Sequence, residues 1–285
     1  MLVRDEESED LFLCSMPGKF KLQKIRPIVG DLVEYTPSHG KTGRIENILP
    51  QKNLLKRPRI SNIDQIVLVN SLVKPKVSTY VIDKFLVLSE KAGIDTIIVF
   101  NKVDLLDDHR ELDRLMEMYG DYYKIILTST KKEIGLDQLK DVFKNKTSTL
   151  AGMSGVGKSS LLNKLDPKIG LKVAEISSRL ERGKHTTTHV ELLSFKFGGL
   201  IADTPGFSNL YLGNIAQDEL KNYYRDMKSN EGYCAFSDCL HLEEPGCYIK
   251  ELIESGDFCP ERYENYKKMY LEIEENFRGG KAQWQ

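Results

Sequence analysis

Long apolar runs are missing from this chain: no stretch approaches the ~20 residues that cross a bilayer, and no lipidation motif is visible. A membrane-trafficking role is therefore not expected, and the setting predicted is cytoplasmic. Cysteine is sparse, five in 285 residues, and no signal peptide is read. That combination argues against a disulfide-built secreted scaffold and for a reducing compartment. Net charge is only −1, so any strongly charged surface has to be local. No internal repeat or low-complexity tract interrupts a length sufficient for two or three domains with real cores.

What is present begins with a phosphate loop. Thr149, Leu150 and Ala151 read as a strand end, and Ser160 to Leu165 as an amphipathic helix start. Between them Gly152, Met153, Ser154, Gly155, Val156, Gly157, Lys158 and Ser159 fit G-x-x-x-x-G-K-[ST]. The three glycines let backbone N–H groups turn toward phosphate oxygens, helped by the positive end of the helix. Lys158 is expected to reach the β- and γ-phosphates, Ser159 to bind Mg²⁺, and Ser160 to lie within the nucleotide contact. A chance glycine-rich turn is the competing interpretation.

Asn101, Lys102, Val103 and Asp104 follow the apolar β-branched run Thr96 to Phe100, where a buried parallel strand would open into a loop. A carboxylate only accepts hydrogen bonds, and guanine offers it a ring N–H beside an exocyclic amine; adenine does not. A buried acceptor left unpaired by the wrong base rejects it by ~10⁴-fold in favourable cases, which makes Asp104 the specificity residue. Thr128 and Ser129, after the strand Lys124 to Leu127, fit the small polar loop that supports the other edge of the base, or a plain turn.

Asp203, Thr204, Pro205 and Gly206 end the run Leu200 to Ala202, which pairs with Val190 to Phe197 through Gly198 and Gly199 in a predicted hairpin. Asp203 would hold a Mg²⁺-bound water, and the Gly206 N–H would sense the γ-phosphate. Between the two lies the polar stretch 179–188, in which one of Thr186, Thr187 or Thr188 supplies the second hydroxyl to Mg²⁺, with Thr187 taken as the candidate. The base-reading motif thus precedes the phosphate loop, the reverse of an ordinary guanine-nucleotide domain. This order indicates a circular permutation, which a fold tolerates when the termini lie at the surface.

Cys234, Cys239, His241 and Cys247 give three thiolates and an imidazole, a closed four-coordinate set suited to structural Zn²⁺. Buried free thiols or a disulfide pair are the alternatives. Residues 11–60 carry ten Lys or Arg against Asp31, Glu34 and Glu46. Short strands separated by Gly-, Pro- and Ser-containing turns there predict a small OB-like barrel with a nucleic-acid surface, or else a merely solvated basic face. Between barrel and phosphate loop, strands at 66–73, 96–100 and 125–127 alternate with helices at 79–92, 109–119 and 136–144, an α/β layer pattern. A helix over 261–277 carries Tyr263, Tyr266 and Tyr270 at helical spacing, a stripe better suited to packing than to base stacking.

With these motifs in hand the chain resembles the bacterial ribosome-small-subunit-dependent GTPase A family, RsgA, also called YjeQ or YloQ. The likeness rests on Gly18–Lys19–Phe20, Pro27 to Asp31, Arg57–Pro58, Asn62 to Gln65, the permuted motifs, Arg182 to His189 and the Cys-x4-Cys-x-His-x5-Cys spacing. It implies an α/β fold: a circularly permuted P-loop GTPase domain (63–212), an N-terminal OB-like β-barrel (1–62) and a C-terminal zinc-binding α-helical domain (213–285). It further implies GTP hydrolysis in late 30S subunit maturation, stimulated by that particle, with 16S rRNA as partner and a monomeric protein. Relative to the family the chain is expected to start one barrel strand late. Phe207 follows Gly206 where a glutamine would orient the attacking water, so intrinsic hydrolysis should be slow. His185 or His189 is the candidate for that task when the subunit is bound, the alternative being that each packs or touches RNA. Gly155 stands where K⁺-using GTPases commonly carry Asn, so K⁺ is not expected. An ATPase or kinase, which Asp104 disfavours, and an RNA-binding module with a vestigial site, which Lys158, Ser159 and Asp203 disfavour, are the other classes considered.

Overall fold

A computed structural model describes residues 1–23, 25–56, 59–170, 191–207, 210–212 and 215–278. The region of alternating apolar runs and amphipathic segments forms one six-stranded sheet. Its strands are β7 (Gln65–Ser71), β8 (Asp95–Asn101), β9 (Lys124–Thr128), β10 (Thr147–Ala151), β11 (Glu191–Ser194) and β12 (Leu200–Phe207), in the order β11-β12-β10-β7-β8-β9. All neighbours are parallel except the β11–β12 hairpin. β7 is buried along its whole length, as a strand covered on both faces must be.

Helices α2 (Thr79–Lys91) and α3 (Arg110–Tyr119) accompany a core on one face that contains Ile66, Leu68, Ile98 and Phe100. Helices α4 (Leu136–Phe143) and α5 (Lys158–Leu165) accompany the other, around Val67, Val69, Val99 and Ile126. The alternation along β7, Ile66 and Leu68 to one core and Val67 and Val69 to the other, is the period of two of a strand. Permutation has left the layers intact.

The N-terminal strands β1 (Leu2–Arg4), β2 (Leu11–Ser15), β3 (Val33–Pro37) and β4 (Thr42–Ile48) form a sheet in the order β1-β2-β4-β3, around a small core of Cys14, Phe20 and Ile45. A short helix, α1 (Gly18–Leu22), interrupts the strand pattern where only strands were expected. Among the described residues β1 and β3 are not paired, so the barrel is open. The ribbon β5 (Leu54–Lys56) and β6 (Arg59–Ser61) places Leu55 and Ile60 in the core beneath α2 and α3, joining barrel to sheet.

The C-terminal helices α6 (Arg225–Lys228), α7 (Tyr248–Ser255) and α8 (Pro260–Arg278) share a third core with Val87 of α2. Beside it lies a polar strut. Arg262, from α8, donates through Nη1 to Asp83 Oδ1 on α2 at 2.8 Å and through Nε to Asp226 Oδ2 on α6 at 2.6 Å. Its guanidinium lies 5.0 Å from the Tyr119 ring and 5.1 Å from the Tyr224 ring. Asn265 completes Asp83 at 2.7 Å. Burial pushes the Asp83 carboxyl up to about 6, opposed by Arg262 and Asn265. Lys84 and Tyr80 both bond Glu272, and Thr79 and Arg114 both bond Glu261, extending the seam. Arg262→Ala would leave two carboxylates buried without their counter-charge. A loss of about 3–5 kcal/mol is expected, the range for breaking a buried pair from one side. Urea unfolding of the full chain measures it, and a loss under about 1 kcal/mol, typical of an exposed pair, would contradict the assignment.

Candidate nucleotide site and metal centre

The β10 strand end and the start of α5 deliver the phosphate loop where the sequence predicts it. Gly152 has φ 126°, and a Cβ there would stand 2.1 Å from the Val69 carbonyl oxygen, so the loop can leave β10 only as glycine. Gly157 has φ 103°, and a Cβ would stand 2.3 Å from Asn101 Nδ2. That close approach joins the two motifs. Asn101 is buried; its Nδ2 donates to the Val156 carbonyl at 2.9 Å and its Oδ1 accepts from the Thr128 hydroxyl at 3.1 Å. One side chain thus ties together the loops that follow β10, β8 and β9.

Lys102, in the left-handed region at φ 64°, donates from Nζ to the Gly155 carbonyl and to the Lys74 carbonyl, each at 2.6 Å. Val103 and Asp104 begin a short 3₁₀ turn, Val103–Leu105. The Ser129 hydroxyl donates to Asp104 Oδ1 at 2.5 Å and fixes the orientation of that carboxylate. Lys158 folds back over the loop, donating to the Gly152 carbonyl at 2.7 Å and the Met153 carbonyl at 2.8 Å, and burial lowers its pKa. Carbonyl oxygens therefore hold the ammonium in the place where phosphate oxygens would be the stronger acceptors. Met153 and Ser154 are exposed at the loop crest, and Ser159 and Ser160 open α5.

Asp203 lies opposite Glu191 in the β11–β12 pairing, and β12 carries Gly206 to a pairing of Phe207 with Ala151 beside the phosphate loop. The side chains of Asp203 to Phe207, and all of His185, Thr187 and His189, lie outside the described residues.

Cys234, Cys239, His241 and Cys247 converge with their donor atoms all within 4.8 Å of one another. His241 Nδ1 lies 3.5 Å from Cys234 Sγ, 3.6 Å from Cys239 Sγ and 3.4 Å from Cys247 Sγ. A tetrahedral ion with zinc bond lengths has an S···N edge of about 3.6 Å, so the donor set fits it. The cluster can hold a metal ion. His241 reaches it with φ 61°, and its loop is braced by Glu244, which accepts from the Leu240 and Leu242 N–H groups at 2.8 Å each. The Tyr263 hydroxyl donates to the His241 carbonyl at 2.7 Å and the Tyr266 hydroxyl to the Leu240 carbonyl at 2.6 Å. The tyrosine stripe is packing and bracing, as its spacing implies. Burial raises Cys239 to about 12 and Cys247 also upward, so a cation is needed to hold them as thiolates near neutrality.

Sequence reasoning placed Asn101 in the base-reading motif without foreseeing the clamp it makes, and it did not foresee the strut of Asp83, Asp226 and Arg262. The second had no signal, because its members are scattered along the chain.

A family model described as RsgA GTPase matches residues 48–213. The small ribosomal subunit biogenesis GTPase RsgA of Thermotoga petrophila is 50% identical over 273 residues, covering 95% of this chain and 92% of that protein. The Bacillus subtilis protein of the same description is 43% identical over 279 residues, covering 96% and 93%. Among solved structures, YjeQ from Thermotoga maritima superposes with a TM-score of 0.85 at 46% identity, covering 95% of this chain and 93% of that one. YloQ, described as a circularly permuted GTPase, gives a TM-score of 0.83 at 38% identity, covering 96% and 91%.

Proposed function

The chain belongs to the RsgA GTPase family, and on that premise we propose that it hydrolyses GTP to GDP and phosphate as a biogenesis factor of the small ribosomal subunit. The observation that carries the nucleotide part is the Asn101 clamp, which holds a phosphate loop, Asp104 and Ser129 in one constellation.

In this reading Asp104, oriented by Ser129, accepts the guanine N–H pair, and Thr128 holds the base-support loop through Asn101. Lys158 leaves the Gly152 and Met153 carbonyls for the β- and γ-phosphates and neutralises charge that develops on the leaving oxygen. The Gly152 to Ser160 backbone cradles the phosphates. Ser159 and Thr187 would hold Mg²⁺, which supplies further charge neutralisation when bound, and Asp203 would hold a water in its shell. The Gly206 N–H senses the γ-phosphate, and His185 or His189 orients the attacking water on the subunit, a task the Phe207 ring cannot perform. Zn²⁺ on Cys234, Cys239, His241 and Cys247 is structural because no ligand position is left open.

We assign residues 1–62 to an RNA-binding barrel, 63–212 to the GTPase domain and 213–285 to the zinc domain, and 16S rRNA to the partner. The protein works as a cytoplasmic monomer. Among the described residues no helix is long and apolar enough to cross a membrane.

The test pairs partner and base. GTP turnover should rise strongly with 30S subunits and not with 50S subunits; equal stimulation by both would count against the partner. Asp104→Ala should lower the preference for GTP over ATP by about 10²-fold or more, because the guanine donors lose their acceptor. An unchanged preference in competition binding would remove Asp104 from its role.

A further inference from the structure

We propose that the end of the six-stranded sheet opposite the phosphate loop is a second RNA-binding face, one that grips phosphate backbone. The proposal rests on the reading that an RNA-containing particle is the partner, and it concerns a surface that neither the barrel nor the nucleotide site includes.

The parallel strands β7, β8, β9 and β10 all begin at this end, and exposed lysines collect there. Lys146 immediately precedes β10, and its carbonyl accepts the Leu200 N–H at 2.8 Å, which fixes it against the β11–β12 hairpin. Lys196 lies in that hairpin. Lys168 follows α5. The backbone N–H groups of Lys168 and Lys196 share one buried carboxylate, bonding Asp166 Oδ1 and Oδ2 at 3.1 Å each. The backbones that carry three lysines from three segments are therefore held beside one another, through Asp166 and through the Lys146 carbonyl. Lys146 and Lys168 make no ion pair among the described residues, and Lys196 Nζ stands 4.0 Å from Asp166.

The face continues on both sides. Lys144 ends α4 and pairs with Asp141, whose carboxyl is also drawn down by Lys124 and Lys140. Toward the barrel, Asp64 accepts the Thr147 N–H at 2.8 Å and pairs with Lys52 at 3.2 Å, carrying the lysine row to the junction with the basic domain. Around the three lysines, on the β10–β12 side of this end, the acids are fewer and are engaged: Asp137 with Lys140, Asp141 with Lys144, Asp64 with Lys52, and Asp166 with backbone; Asp95, which opens β8 and pairs with Arg225, and Asp121, just before β9, lie on the other side.

The kind of contact follows from what accompanies the lysines. Beside the three lysines Phe143 and Phe195 are buried, and Phe197 is engaged in a stack on Phe195 with ring centroids 4.7 Å apart. Lysines beside rings that are buried or already stacked suit the phosphates of a helix, which fix position without reading sequence.

The test uses the full chain with zinc in place, a non-hydrolysable GTP analogue and purified 30S subunits. Affinity is measured over a salt series for the wild type, for Lys146→Ala/Lys168→Ala/Lys196→Ala together, and for the same three positions changed to Arg. The alanine variant should bind at least about tenfold more weakly, with a salt slope shallower by about two to three, near the 0.9 expected per lost phosphate contact. The arginine variant should match the wild type. Nucleotide affinity should be the same in all three, since no changed residue approaches the phosphate loop. Wild-type binding with an unchanged affinity and slope in the alanine variant would overturn this face while leaving the partner intact. Absence of wild-type binding would overturn the partner reading and this face with it.

Discussion

Lys158→Ala should reduce subunit-stimulated GTP turnover by about 10²- to 10³-fold or more, the range for removing one preorganised donor from developing charge. The structure explains why the loss falls on chemistry and not on folding. Among the described residues Lys158 Nζ bonds the Gly152 and Met153 carbonyls of its own loop and makes no ion pair. Its amine leaves two carbonyls that can turn to solvent in the variant. Thermal unfolding and metal content should therefore equal those of the wild type, while phosphate release at saturating GTP and 30S subunits collapses. Turnover within about tenfold of the wild type would remove Lys158 from the transition state.

Metal removal should have the largest effect on stability. Structural Zn²⁺ in zinc-finger peptides contributes an apparent ~10–16 kcal/mol near neutral pH. Here part of the loss is offset, because Arg262, Asp226 and the third core still hold α6 and α8. The expected result is one equivalent of zinc in the purified protein and a near-UV signal from tyrosine that fades with a strong chelator and returns with Zn²⁺. The reporter is direct: Tyr263 and Tyr266 bond the carbonyls of His241 and Leu240, so loosening the loop releases both rings. Cys247→Ser should behave as the chelated protein does. A variant with wild-type melting and wild-type zinc would show that the four side chains are not a metal centre.

How far these features could be read in advance depended on whether their physics is local. Strand and helix positions in the sheet came within two residues at most ends, because Thr96 to Phe100 or Leu136 to Phe143 show their period over a few adjacent positions. The phosphate loop and the cysteine spacing are local as well. The helix α1 escaped because five residues are too few for a period to show. Asn101 could be placed in its motif from the sequence, but its clamping of Val156 and Thr128 depends on loops 55 and 27 positions away. Arg262 illustrates the limit: 179 positions separate it from Asp83, and an arginine on an amphipathic helix reads as a solvated charge until its partners are seen.

The strut has a further meaning for what counts as a self-sufficient piece of this molecule. A fragment ending at 212 would contain every nucleotide motif and still lack Asp226 and Arg262. It would carry Asp83 as an uncompensated charge beside a newly wetted Val87, on the helix that packs against the sheet. The smallest cooperative unit is thus larger than the catalytic one, and evolution cannot trim the C-terminal helices from this GTPase without first rewriting the face of α2 that they cover.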